Sequence, residues 1–279
     1  MSGEQPRVTT LARGWPLRRL LFFTHALLFT ATSRLTGQIQ DNSFLLEEAY
    51  NQEAGVVQHI STFARATSGE WNFGFTQEWP LGGIRHQLSY TLLIQHVETG
   101  STGLGDMALN YRYQLLGNPQ ARTVMAPRVA LLLPTGNEAV GRGAGAVGLQ
   151  TNLPLTINPS PQLATHWNAG FTLVPSARGA DGSRATTFSP NLGGSLVWLL
   201  KPRFNVLLEV LWLVHDEVVG PGTSSGNEIF LLNPGVRMAF DAAGDLQVVP
   251  GVSYSVDLTK SGEDGLFLYL SFEHPFKRQ

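Results

Sequence analysis

The feature that most constrains this chain is a succession of about twelve runs, each about ten residues long, in which apolar and polar side chains alternate one by one. They fall at 56–66, 71–80, 86–97, 106–116, 123–134, 147–157, 163–174, 190–200, 204–216, 229–240, 246–258 and 266–276. Period-two alternation is what a strand with two unlike faces requires. In "WNFGFTQEWPL" (71–81), Trp71, Phe73, Phe75 and Trp79 share one face while Asn72, Thr76 and Glu78 share the other. Leu88, Tyr90, Leu92 and Ile94 repeat the pattern, and Trp167, Ala169, Phe171 and Leu173 alternate with His166, Asn168, Gly170 and Thr172. A soluble sandwich alternates as well, so length has to decide. Sandwich strands average about five or six residues, whereas a tilted membrane strand needs about nine to eleven. Trp71 and Trp79 stand eight residues apart, as do Phe204 and Trp212. At about 3.3 Å per residue and a tilt near 40°, each pair spans roughly 20 Å along a barrel axis, close to the height of a lipid-facing band.

The connections point the same way. If the chain starts on the periplasmic side, the periplasmic connections are short, at 81–84, 116–122, 158–162, 201–203 and 241–245, while 135–146, 176–189 and 218–228 are long outer loops. Short inner turns and long outer loops are the habit of bacterial barrels. The last run, "LFLYLSFEHPFKRQ", puts Leu266, Leu268, Leu270, Phe272 and Phe276 on one parity. It resembles the closing strand that barrel-assembly machinery reads. The expected fold is all-β, a transmembrane antiparallel up-and-down β-barrel of about twelve strands over 56–279, preceded by a short N-terminal helical segment.

That segment lies between the barrel and a leader. Arg13, Arg18 and Arg19 precede the apolar run Leu20 to Phe29, and small residues follow. The run is about a dozen residues, short of the roughly 20 that span a bilayer as a helix, so residues 1–37 read as a secretory signal peptide. Residues 38–55 are acidic and do not alternate; Phe44, Leu45, Glu47, Glu48 and Ala49 favour a short helix in a periplasmic or lumen-entering segment.

Composition removes several classes of function. Charged residues make up 14% of the chain, well under the usual quarter, and the net charge is −2 with no basic stripe, so nucleic acid is not an expected partner. The absence of cysteine excludes disulfides, thiolate zinc sites and thiol nucleophiles. Histidines stand singly, without a metal-binding spacing, and neither a metal nor another cofactor is expected. His59-Ile60-Ser61 and His215-Asp216 are the only hints of hydrolytic chemistry, and neither comes with a third group or an oxyanion site. The glycines of "LLLPTGNEAVGRGAGAVG" lack the Gly-Lys-Ser/Thr of a phosphate loop.

Parity sorts the remaining candidates. Glu78, Asp106, Arg112, Arg128, Glu209, Arg237, Asp257 and Glu273 are expected to line the lumen, their mixed signs pairing across the wall. Trp71, Trp79, Trp167, Trp198, Phe204, Trp212 and Phe276 are expected to form an aromatic girdle against outer-membrane lipid. Barrels with few strands are largely filled by their own side chains, which disfavours a wide porin.

"NSFLLEEAYNQEAGVVQHI" (42–60), "GLGDMALNYRYQLL" (103–116) and "RVALLLPTGN" (128–137) resemble an outer-membrane barrel family regarded as transporters, some members of which are named for the meta-cleavage pathway of phenol degradation. The resemblance implies passive movement of a small molecule, hydrophobic ones included, across the outer membrane; with neither hydrolytic hint completed, an enzyme is not expected. Loops 135–146, 176–189 and 218–228 would control access, with Arg112, Glu209 and Arg237 along the path. A barrel hydrolase and a plugged structural barrel are the alternatives.

Overall fold

The computed structural model describes Ile39 and residues 41–242, 246–260 and 262–275. The expected signal peptide (1–37) and Phe276 lie outside the described residues. Twelve antiparallel strands run in chain order: β1 (Val56–Ala66), β2 (Trp71–Pro80), β3 (His86–His96), β4 (Thr102–Leu104 with Met107–Tyr113), β5 (Thr123–Met125 with Arg128–Leu133), β6 (Gly148–Asn152 with Leu155–Ser160), β7 (Leu163–Arg178), β8 (Arg184–Lys201), β9 (Phe204–Gly220), β10 (Thr223–Met238 with Phe240–Ala242), β11 (Leu246–Asp257) and β12 (Gly265–Pro275). Each pairs with its neighbours in sequence, and β12 returns to β1 in register from Val56↔Pro275 to Ala66↔Gly265, closing the barrel. Closure leaves no sheet edge for lipid to meet.

The alternation works as the sequence requires. Leu92, Leu109, Leu131, Trp167, Trp198, Leu208, Val252 and Leu268 are exposed on the outer face, while Asn110, Asn168, Ser195 and Asn233 on the opposite parity are buried. Proline interrupts β5 at Pro127 and β6 at Pro154, where the missing N–H would break a ladder. Pairing carries on around both, through Tyr113 N–H to Pro127 O at 3.0 Å and Ala126 N–H to Pro154 O at 3.2 Å.

The wall is uneven. Strands β1 to β3 have 10 or 11 residues, whereas β7 to β10 have 16 to 18, so that side rises roughly 15 Å further along the axis. Two expected outer loops are therefore corrected. Residues 176–189 and 218–228 are mostly hairpin, with turns only at 179–183 and 221–222. The register continues through Ala177↔Ala185 and Glu217↔Ser225. In 218–228 no residue is buried and the apolar–polar contrast vanishes, while in 176–189 the buried positions are the small Ala177, Ala185 and Thr187, so Gly-, Ser- and Asp-rich strand looks like turn. Only 134–147 remains an outer loop of the expected kind, with a 3-10 turn at Glu138–Val140.

The expected helix does not form. Phe44 to Leu46 and Ala49 are bends, and no α-helix occurs among the described residues. The segment instead rises from the periplasmic end into the lumen and returns to it. Ile39 packs with Ala239 and Val249 near the foot of the wall, Phe44 to Glu47 form the apex, and Asn51 reaches Ile84 O at a periplasmic turn. Buried N–H groups must find acceptors, and here the wall supplies them in place of a helix.

Candidate functional site: the lumen and the segment that fills it

Polar side chains project inward at mid-height because each sits on the buried parity of its strand, and the N-terminal segment uses them one after another. Glu209 of β9 is fully buried; its Oε1 accepts from the backbone N–H of Leu45 at 2.9 Å and of Leu46 at 3.2 Å, and its Oε2 from Asn233 Nδ2 at 2.6 Å. Asn168 Oδ1 accepts from Glu47 N–H and Thr156 Oγ1 from Ala49 N–H, both at 2.9 Å. Gln114 and Gln87 take the N–H groups of Asn51 and Gln52 at 3.1 and 2.7 Å. Arg237 of β10 donates to the carbonyls of Asp41, at 2.8 Å, and Asn42. Asp41 in turn receives hydrogen bonds from Gln58, Tyr269 and Ser271.

Apolar contacts fix the apex. Phe44 packs with Ile60, Val197, Leu207, Phe267 and Tyr269 in a cluster inside the barrel. The wall is cut back beneath it, since a Cβ on Gly235 or Gly251 would collide with the Phe44 ring, and a Cβ on Gly193 would meet Leu46.

One ion-pair group crosses from wall to segment. Arg112 Nη2 lies 2.7 Å from Glu47 Oε2, and Arg128 Nη2 lies 2.8 Å from Glu47 Oε1. Burial opposes ionisation of Glu47, but the Arg128 and Arg112 guanidiniums outweigh it and hold the carboxyl at about 2. Glu48, next in sequence, is 6% exposed and has no carboxyl hydrogen bond among the described residues, so burial pushes its carboxyl well above the usual range.

Two cavities of ≈ 350 Å³ and ≈ 310 Å³ lie on the outer side of the apex. Leu45, Leu46, Glu47, Arg128 and Gln150 line both, so together they form one vestibule floored by the segment. Thr76, Thr91 and Asn110 flank it on one side, Thr172 and Asn191 on the other.

The family described as "Putative MetA-pathway of phenol degradation" matches residues 33–264. The chain belongs to this family. Among solved structures, an outer membrane channel from Pseudomonas putida F1 is similar, with a TM-score of 0.56 and 12% identity over 81% of this chain and 97% of that one. The NanC porin is similar with a TM-score of 0.51 and 6% identity over 79% and 99%. At such identities the likeness is one of fold, and the fold is that of a bacterial outer-membrane barrel. No curated protein matches the sequence.

Within this member of the phenol-degradation family, the sequence-derived candidates divide into groups. Arg112, Arg128, Glu209 and Arg237 all face the segment, so their charges and dipoles are matched by it instead of by one another across the wall. Glu78 receives a hydrogen bond from Gln87 at 2.7 Å, and Glu273 sits beside Gln52. Asp106 and Asp257 hold outer connections together. Asp106 accepts from the N–H of Gly136 and Ala144 at 2.9 and 2.8 Å, and Asp257 from Thr259 and Gly262 at 2.9 and 3.1 Å. Of the aromatic candidates, Trp167 and Trp198 are more than half exposed, Trp71 stacks on His96, Trp79 tilts against Tyr90, and Phe204 and Trp212 are partly buried. His59 hydrogen-bonds His274, and His215 pairs with Glu217 while Asp216 accepts from Phe188 N–H and Ser224. Neither hint of hydrolytic chemistry becomes a dyad. Asp41, Glu47 and Glu48 were absent from the candidates; the acidity of their segment was visible, but with five acids against three arginines on the wall the sequence carried no sign that they were the arginines' partners.

Proposed function

We propose that the protein is a gated outer-membrane channel, closed by its own N-terminal segment, which passes a small solute when the segment withdraws toward the periplasm. The observation that carries this reading is the path of the segment. It enters and leaves at the periplasmic end, so withdrawal threads no chain through another, and it is held largely by individual hydrogen bonds that water can replace. The family description makes small aromatic molecules the first solutes to try.

Ser43 Oγ lies 2.8 Å from Ser195 Oγ, and the chain has no cysteine. An S43C/S195C double variant therefore sets a single removable lock between segment and wall, at a pair whose side chains already point at each other. Solute flux into vesicles is expected when the pair is reduced and lost when it is oxidised. Silence in both states would favour a permanently plugged structural barrel, the reading that the packing of Phe44 supports.

A further inference from the structure

We propose that Arg112 and Arg128 form a binding site for a small monocarboxylate solute on the floor of the outer vestibule, and that Glu47 occupies it in the closed state as a tethered stand-in. This rests on the channel reading above and names its solute class.

The two arginines are direct cross-strand partners on β4 and β5 and both face the lumen. Like charges directly opposite each other destabilise a sheet unless an anion lies between them. Glu47 is that anion, and both of its oxygens are taken: Arg112 Nη2 reaches Oε2 at 2.7 Å, and Arg128 Nε and Nη2 both reach Oε1 at 2.8 Å. Glu78, which Gln87 engages, and Glu48 are the further carboxylates acting on Arg112, so a solute carboxylate that takes the place of Glu47 keeps the charge of the site unchanged.

The wall holds Arg128 in place without Glu47, since Asn110 Oδ1 and Gln150 Oε1 each accept from it at 2.9 Å. Arg112 Nη1 donates to Tyr50 O, on the returning limb of the segment below the apex, at 3.1 Å. Arg112 Nε is buried with no acceptor among the described residues, a donor left over for a ligand oxygen. The site is also open from outside, since Glu47 and Arg128 line both cavities and the Glu47 side chain keeps 23% exposure. A planar carboxylate fits a guanidinium fork in a way that a neutral amide or an ammonium does not. An incoming carboxylate and Glu47 compete for the same donors, so solute binding loosens the apex of the segment, and by linkage the docked apex weakens solute binding.

The test is calorimetric titration of the refolded full chain with propionate and benzoate, using propionamide and benzamide as neutral isosteres. Removing the tethered competitor in Glu47→Gln is expected to tighten carboxylate binding by roughly tenfold or more, and adding Arg128→Gln to abolish it. Independently of any variant, saturating benzoate is expected to speed hydrogen exchange of the Glu47 amide in the unaltered protein, while benzamide leaves it unchanged. Equal binding of acid and amide, no gain in E47Q, or no difference in exchange between the two ligands would overturn the proposal. Because binding is read without flux, its failure is separable from failure of the disulfide-lock experiment.

Discussion

The ring of Phe44 rests on the bare Cα of Gly235, where a Cβ has no room. Segment and wall are thus shaped to each other at the apex. Gly235→Ala is expected to weaken the docked state by about 1–3 kcal/mol, the usual cost of overpacking. The open fraction should rise, and because a Cβ there also crowds Ser253 and the Val252 carbonyl of the neighbouring strand, barrel unfolding is expected to shift too; Gly251→Ala, whose Cβ meets chiefly the Phe44 ring, should raise the open fraction with a smaller shift. An unchanged closed fraction would mean that the recess does not seat the segment.

Glu209 turns toward the segment with two backbone N–H groups on one oxygen. Glu209→Ala leaves both unpaired in a buried place, at about 1–3 kcal/mol each. Amide exchange at Leu45 and Leu46 should accelerate by roughly ten- to a hundredfold or more. Protection equal to that of the unaltered protein would show that the segment finds other acceptors.

Asp106 gathers the loop 134–147 by accepting from Gly136 and Ala144, and a Cβ on Gly143 would strike its carboxylate. Asp106→Ala is expected to expose this loop to protease on the outer face without altering closed-state conductance. A change in conductance with an intact loop would instead put Asp106 on the solute path.

The sequence showed the barrel because lipid on one side and a polar lumen on the other impose contrast at every second residue, as at Asn168 and Trp167. That signal ends where the surroundings become alike. Ser225 and Asn227 lie in strand exposed on both faces, while at Ala177 and Ala185 the buried face is made of residues too small to give contrast, and both runs were read as loop. The segment failed for the opposite reason. Its local pattern at Phe44 to Ala49 does favour a helix, but Glu209, Asn168 and Thr156, more than 100 residues away, supply better-placed acceptors for its N–H groups. Inward parity placed Arg112 and Arg128 in the lumen, while their partner Glu47 lies some 65 and 81 residues earlier, a pairing that only the closed barrel reveals.

Glu48 makes the closed state sensitive to pH. Its carboxyl shares a small cavity with Tyr50, His166 and Arg237, and the charges acting on it are Asp41, Arg237, Arg112 and Glu273. Burial raises its pKa in the docked segment above the ordinary 4.5, so the docked state favours the protonated form. Docking is therefore supported fully below the ordinary value, and that support is lost as pH rises through the raised one. Glu47 works in the other direction, because its pair with Arg112 and Arg128 is lost only as pH falls from the ordinary 4.5 toward about 2. Above the ordinary 4.5 the Glu48 contribution alone of these two changes, and the open fraction should increase with pH. Glu48→Gln carries no charge at any pH and should reduce the rise, leaving the part that comes from Asp41, whose carboxyl burial also raises, with single-channel recordings from about pH 5 upward as the readout. If E48Q and the unaltered protein respond to pH in parallel, the sensitivity lies in another group and Glu48 is only packed.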